Sequence, residues 1–280
     1  MASPGWTSPP VAEIVRLALE EDIGSGDITT QACVPENLMA RGRFIAREPL
    51  VLAAPSVLPV IYDMRGGVDE LNILKHSGDH CRSGAIIATV LGKARTLLEC
   101  ERVALNFMQR LSGVATAANR FSRQVVGTHC RVLDTRKTMP GLRILEKLAT
   151  EAGGITNHRM GLYDAILIKN NHIAAAGGVR NAIERVRAAG LPVAVEARNV
   201  QELRGALEAG AERILLDNLS PSQAAEWIAE IDGRAEIELS GGITLDNVAE
   251  YAELGADYVS CGAITQSARA MDISFRLELL

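Results

Sequence analysis

Five apolar runs in the second half of the chain each stop at a charged or small polar residue. AILIK ends at Lys169, PVAVE at Glu196, RILLD at Asp217, AEIEL just before Ser240, and DYVSC at Cys261. These endings fall 21 to 27 residues apart, and a helical pattern follows them. Strand and helix alternating at this spacing predict parallel strands with helical crossovers, which gather functional groups at the strands' carboxyl ends. RVLDT, starting at Arg131, adds a sixth strand candidate. Six is two short of a closed eight-stranded barrel, so the pattern predicts an incomplete or open one.

The first half reads differently. Val11, Ile14, Val15 and Ala18 lie at helical spacing, and GSGD then breaks the helix. From Arg41 to Gly92 the runs RGRFIARE, LVLA, LNILKH and AIIATVLG are short, β-like and divided by Gly and Pro. They predict a small sheet of mixed connection rather than a βαβ series. Ala94 to Val126 contains no proline, with Gly113 as a weak point. Leu98, Val103, Leu105, Phe107, Met108 and Leu111 give it the apolar face of one long helix or two. Farther on, GVRNAIERVRAAG reads as a helix stopped by Gly190. Ser220, Pro221 and Gln223 supply N-cap, N1 and N3 of the next helix. Thr244 is expected to open another, and Gly255 to close it. The expected fold is α/β: a mixed α/β N-terminal domain over 1–115 and a partial α/β barrel carrying the catalysis over 116–270. The segment 271–280 is expected to return to the N-terminal domain, and the first ~10 residues to form a mobile tail.

Composition narrows the function classes. Hydrophobic residues make up 48% of the 280 residues and aromatic ones only 4%, so the core is aliphatic, as in parallel strands buried on both faces. A net charge of −5 argues against a nucleic-acid partner held by global charge. No apolar stretch approaches the roughly 18 residues that span a membrane. MASPGWTSPP lacks the basic start and apolar core of a signal peptide, and the cysteines Cys33, Cys81, Cys100, Cys130 and Cys261 form no CxxC pair. A cytoplasmic protein with reduced thiols is expected.

The candidate chemistry lies at the strand ends. DTRKTMPG puts Arg136 and Lys137 side by side where the chain leaves the first barrel strand. Such a pair suits a carboxylate or phosphate, although isolated pairs are often only solvated loop charges. His158 and Arg159 precede the second strand and would reach the same rim. Lys169 ends ILIK, where it could form a Schiff base or serve as a point charge for phosphate. Glu196 and Asp217 on successive strand tips read as a Mg²⁺ or diphosphate-ribose site, or as salt-bridge partners of Lys137 and Lys169. SGGIT and CGAIT place small residues after the last two strands, where backbone N–H groups can close on a phosphate. HSGDH, with His76 and His80, is a surface turn more readily than a metal pair. The expected ligand is strongly anionic and arrives with a divalent cation.

The segments ERVALNFMQRLSGVAT, LDTRKTMPGLR, NHRMGLYDAILIKNNHI, ILLDN and SGGIT resemble the quinolinate phosphoribosyltransferase family of type II phosphoribosyltransferases, in order and with similar gaps from Glu20 to the C-terminus. The resemblance implies a phosphoribosyl transfer from phosphoribosyl pyrophosphate to quinolinate with decarboxylation, giving nicotinate mononucleotide, pyrophosphate and CO₂. It implies Mg²⁺ and no organic cofactor. It also implies a homodimer, with higher assembly left open, in which Arg102 reaches the site of the partner subunit. Arg136, His158 and Arg159 would clamp the pyridine carboxylates, with Thr135 beside them. Lys137 and Lys169 would hold the sugar diphosphate. Glu196 and Asp217 would face ribose and metal, with the metal bound directly or through water. Lys137, Lys169, Glu196 and Asp217 would therefore be the catalytic set. Ser240, Gly241 and Gly242, with Cys261, Gly262 and Ala263, would cradle the 5′-phosphate. The chain departs from the family pattern at Ala194, where a Glu is expected, and at Asn170 and Arg198, where acids are common. Two other readings stay open: a Schiff-base, aldolase-like barrel using Lys169, and a relative that has lost turnover or serves another anion, such as the molybdenum-associated branch.

Overall fold

A computed structural model of the chain describes residues 5–280. The expected mobile tail falls partly on residues 1–4, outside the described residues. The elements of the first half are α1 (Pro9–Ile23), α2 (Ile28–Cys33), β1 (Met39–Ala46), β2 (Leu50–Val51), α3 (Leu58–Asp63), β3 (Glu70–Ile73), β4 (His80–Cys81), β5 (Ile86–Lys93) and α4 (Ala94–Gln124). Next come β6 (Arg131–Leu133), α5 (Arg143–Ala152), β7 (Ile166–Ile168), α6 (Asn170–Ala176), α7 (Val179–Val186), β8 (Val193–Ala197) and α8 (Val200–Glu208). The chain finishes with β9 (Arg213–Asp217), α9 (Pro221–Ile231), β10 (Glu236–Ser240), α10 (Val248–Glu253), β11 (Tyr258–Ser260), α11 (Ala263–Gln266) and β12 (Ile273–Leu279). They form two compact units. The first comprises residues up to Asn119, Thr138–Gly154 and Ser267–Leu280; the second comprises Arg120–Lys137 and Ile155–Gln266. Residues 138–154, expected inside the barrel, thus cluster with the first unit.

The first unit is built on a four-stranded sheet in the order β12-β1-β5-β3, with every pairing antiparallel. Strand β1 alternates as a half-buried strand should: Ala40, Phe44 and Ala46 are buried while Arg41 and Arg43 face water. Phe44 packs on Phe275 of β12 with centroids 4.7 Å apart. The run LVLA yields only the short β2. Helix α3 follows it, with Leu58, Ile61 and Tyr62 fully buried on one face. Pro59 in the first turn of α3 sits where a helix has no use for that N–H, so it does not break the helix.

Residues 94–124 form one helix, and Gly113 does not interrupt it. A Cβ at Gly113 would lie 1.9 Å from the Arg269 carbonyl oxygen. Glycine is there because the C-terminal segment crosses the helix backbone at that point. Helix α5 buries two charged residues, Glu146 and Lys147. The Arg110 guanidinium meets Glu146 Oε1 at 2.6 Å and also donates to the Ala268 carbonyl at 2.6 Å. Glu146 Oε2 accepts the Met139 N–H at 3.2 Å, so this one carboxylate ties the segment after residue 137 to α4. The HSGDH segment is a turn in which Asp79 accepts the His76 N–H at 2.9 Å. Among the described residues no group of three or more His, Cys, Asp or Glu could hold a metal ion.

The second unit carries a six-stranded parallel sheet in the order β6-β11-β10-β9-β8-β7. The first strand pairs with the last, and β6 and β7 are the two edges of the sheet. Thr156 adds a single parallel bridge to β6 at Leu133, its N–H donating to Val132 O and its carbonyl accepting from the Asp134 N–H. The capping box at Ser220 forms as expected, with Gln223 returning the bond. Gly190 and Gly255 both adopt positive φ where the preceding helical segments end. The expected helix start at Thr244 is displaced: α10 begins at Val248, and Thr244 instead starts a turn closed by its N–H to Asn247 Oδ1 at 2.7 Å.

Candidate active site

The carboxyl ends of the parallel strands open into a cavity of about 510 Å³. Its walls include Thr135, Arg136, Lys137, His158, Arg159, Lys169, Asp217, Ser240, Gly241, Gly242, Gly262 and Ala263. Residues from segments far apart in sequence therefore meet on one rim, as the strand endings predict. Three expected site residues do not line it. Glu196 is buried one step behind, its Oε2 2.7 Å from Lys169 Nζ. Cys261 is fully buried, and burial pushes its thiol pKa far up. Arg102 is exposed on α4, in the other unit.

The cationic wall is set by the loops leaving β6 and entering β7. Buried Asp134 accepts the His158 N–H at 2.8 Å, pinning the two loops together. Thr135 Oγ1 accepts the Lys137 N–H at 3.1 Å, and the buried Thr265 hydroxyl donates to the Lys137 carbonyl at 2.7 Å. The Lys137 side chain then lies across Gly262, where an added Cβ would come within 2.7 Å of Lys137 Cδ. Arg159 donates to the Ala165 carbonyl at 3.1 Å. Burial, and after it the neighbouring Arg136 cation, lower the Arg159 pKa, with Asp164 acting the other way. Two guanidiniums held close enough to oppose one another's charge form a site that gains from a dianion.

The opposite wall is a backbone cradle. Gly241 and Gly242 both have positive φ, at 87° and 63°. At Gly241 glycine is required twice over, because an added Cβ would also meet Asn218 within 2.6 Å. Asn218, itself left-handed, donates its N–H to the Ser240 carbonyl and its side-chain amide to Asp217 Oδ2 at 2.6 Å. This turn of consecutive left-handed residues can present backbone N–H groups to an anion, and the helix start expected behind Thr244 is displaced to Val248.

Lining residues that escaped the sequence reading include Glu238, Ser260, Gln266, Leu167 and Leu215. Glu238 had a signal. It interrupts the apolar run of β10 and shares strand parity with Ser240. Burial alone would raise its carboxyl pKa, but His158, Ser260 and Arg213 hold it below the usual carboxylate range. Of the three departures, Arg198 turns to Glu202 at 3.2 Å and Asn170 accepts the Asn171 N–H at the start of α6. Ala194 pairs in register with Leu167 and Arg213 and places no carboxylate on β8 besides Glu196.

Two family profiles match the chain: "Quinolinate phosphoribosyl transferase, N-terminal domain" over residues 27–112 and the corresponding C-terminal domain over residues 114–276. The nicotinate-nucleotide pyrophosphorylase [carboxylating] of Mycobacterium leprae is 43% identical over 273 residues, covering 95% of this chain and 96% of its own. The chloroplastic protein of the same name from Oryza sativa subsp. japonica is 37% identical, covering 99% of this chain and 80% of its own. Among solved structures, NadC from Streptococcus pyogenes superposes with a TM-score of 0.91 at 38% identity, covering 96% of this chain and 97% of that one.

Proposed function

Because the chain belongs to the quinolinate phosphoribosyltransferase family, we infer that it transfers phosphoribosyl from phosphoribosyl pyrophosphate to quinolinate, releasing pyrophosphate and CO₂ and leaving nicotinate mononucleotide. That is a step of de novo NAD synthesis. The observation that carries the reading is the Arg136–Arg159 pair, two mutually opposed cations in one cavity. It suits the two carboxylates of a pyridine dicarboxylate.

The residues divide the work by charge. Arg136 and Arg159 hold the ring so that its nitrogen faces the ribose C1. Lys137, Lys169 and the Ser240–Gly242 turn hold the phosphates. As the C1–O bond to pyrophosphate lengthens, positive charge grows on the ribose. Asp217 on the cavity wall stabilises it, and Glu196 adds negative charge from behind the wall. The ring nitrogen then donates its electron pair to C1. No protein nucleophile is needed, since orientation and fixed charge carry the step. The resulting pyridinium stabilises the electron pair left by the breaking ring–carboxylate bond, CO₂ leaves, and the ring carbon takes up a proton from water. Asp217, on the cavity wall, would hold Mg²⁺ that enters with the diphosphate, and Glu196, set behind the wall, would reach it only through water, since this ion usually keeps several waters beside one or two carboxylates and substrate phosphates. When bound, it would help neutralise the departing pyrophosphate.

The Schiff-base alternative has less behind it. Lys169 Nζ lies 2.7 Å from Glu196 Oε2 and its side chain is half exposed, an arrangement that suits a point charge for phosphate better than a nucleophile. A homodimer in which Arg102 serves the partner's site is part of the reading, supported by the exposure of Arg102 on α4. So is a cytoplasmic location; no helix among the described residues is long and apolar enough to cross a membrane. The test is direct. Purified protein with Mg²⁺, phosphoribosyl pyrophosphate and ring-carboxylate-labelled quinolinate should release labelled CO₂ in step with mononucleotide. A folded protein that forms neither product rejects the reading.

A further inference from the structure

Glu238 is an acid beneath a cavity with a cationic wall, and no step of the transfer calls on it. It is fully buried in the interior of β10. His158 Nε2 stands 3.4 Å from its Oε1, and Arg213 Nη1 stands 3.6 Å from its Oε2. Arg213 comes from the start of β9. Glu236 holds it at 3.0 and 2.8 Å, and it lies 4.1 Å over the Tyr258 ring. The second nitrogen of His158 is also occupied: Nδ1 accepts the Arg159 backbone N–H at 2.6 Å. A nitrogen that accepts an N–H carries no proton of its own, so the ring proton is on Nε2, facing Glu238. In this arrangement His158 has no N–H left for a ligand in the cavity.

We propose that Glu238 is a positioning residue: acting through His158, it fixes the Arg159 backbone and so sets the gap between Arg159 and Arg136 that receives the pyridine dicarboxylate. The inference rests on the phosphoribosyl-transfer reading, and it replaces the direct-clamp role expected of His158. The carboxylate selects the Nε2–H tautomer, and that tautomer leaves the Nδ1 lone pair for the Arg159 N–H. Arg213 compensates the buried negative charge from below, so that an incoming dianion is not repelled by the cavity floor. Without Glu238 the ring proton is free to move to Nδ1, and the Arg159 N–H loses its acceptor.

The experiment compares Glu238→Gln, Glu238→Ala, His158→Asn and His158→Ala, measuring KM for quinolinate and for phosphoribosyl pyrophosphate separately. Asparagine puts an acceptor oxygen where Nδ1 stood. His158→Ala should raise the quinolinate KM about tenfold or more with a much smaller change for the sugar substrate, the scale of losing one buried hydrogen-bond acceptor. His158→Asn should recover most of that loss. Glu238→Ala should raise the quinolinate KM about tenfold in the parent but less than about threefold in the His158→Asn background, since the two changes act through one path. The ¹⁵N shifts of His158, assigned by their disappearance in His158→Asn, should report the Nε2–H tautomer in the parent and a shifted tautomer balance in Glu238→Gln. If Glu238→Ala fails to fold, Glu238→Gln and the ring shifts carry the test. His158→Asn as damaging as His158→Ala, fully additive losses at the two positions, or a proton on Nδ1 in the parent would overturn the proposal. A parent that makes no mononucleotide rejects the transfer reading instead, and the ring shifts still decide the positioning.

Discussion

The antiparallel sheet β12-β1-β5-β3 buries Ala40, Phe44, Ala88 and Ile273, whereas the parallel sheet buries Glu196, Glu238 and Ser260 among its valines and leucines. The first unit holds a continuous apolar core running from Val11 to Ile273, and its buried charges, Glu146 and Lys147, lie on a helix outside the sheet. The second carries charge through the sheet itself, in the row His158, Glu238, Arg213 and Glu236. Burying charge costs several kcal/mol per ion unless each is compensated. The contrast separates two duties. One sheet supplies cohesion, and the other gives up cohesion to hold a field of fixed charges in place.

Substitutions can break or sharpen that contrast. Phe44→Ala removes a fully buried ring from the cohesive sheet and should cost about 3–5 kcal/mol of stability in denaturant titration, with both KM values unchanged in the folded fraction. Arg159→Ala should do the reverse: a rise of about 10- to 100-fold in quinolinate KM, the scale of losing a charge-assisted pair, with little change in melting temperature. Equal losses for both substrates would undo the assignment of Arg159 to the ring. Gly113→Ala tests packing within the first unit. Alanine favours a helix over glycine, but its Cβ would collide with the Arg269 carbonyl, so a net loss of about 1–3 kcal/mol is expected. A gain in stability would mean the C-terminal segment does not press on α4 as described.

The smallest effect concerns acid. Arg269 contacts both oxygens of Glu48, at 2.5 and 2.8 Å, and Glu48 also accepts the Asp272 N–H at 2.8 Å. The Arg269 hydrogen bond, then the Asp272 N–H, lower the carboxyl pKa from 4.5 to about 2. A depressed acid stabilises the fold above its unfolded value and loses that contribution as pH falls through its folded value. The difference in unfolding midpoint between the parent and Glu48→Gln should therefore be constant above pH 4.5 and shrink as pH falls toward 2. A difference independent of pH would mean the contact acts through shape alone.

Much of the second unit was legible because its strands are short apolar runs that end on chemistry. Lys169, Asp217 and Ser240 stand where those endings put them, and so do Arg136 after the first strand and Arg159 before the second. The misses have physical causes. Helix α3 was hidden because Pro59 reads as a breaker until its place in the first turn is known. Gly113 read as a weak point because the irregular segment that crosses it lies 156 residues away in sequence, at Arg269. Residues 138–154 looked like part of the barrel because nothing local announces that Glu146 pairs with Arg110. Glu238 was passed over because a single acid inside an apolar run gives its parity but not its neighbours. Long-range contact decided each of these, and periodicity records only short range.

The pairing order has a consequence for how the chain is made. Strand β6 completes its ladder only with β11, as Val132 meets Val259, and β1 only with β12, as Ala40 meets Leu279. Each sheet is therefore waiting for the strand that the ribosome delivers after all its others. A nascent chain halted before residue 258 has two exposed edges and neither sheet complete, so premature termination should leave aggregation-prone material rather than a smaller working enzyme.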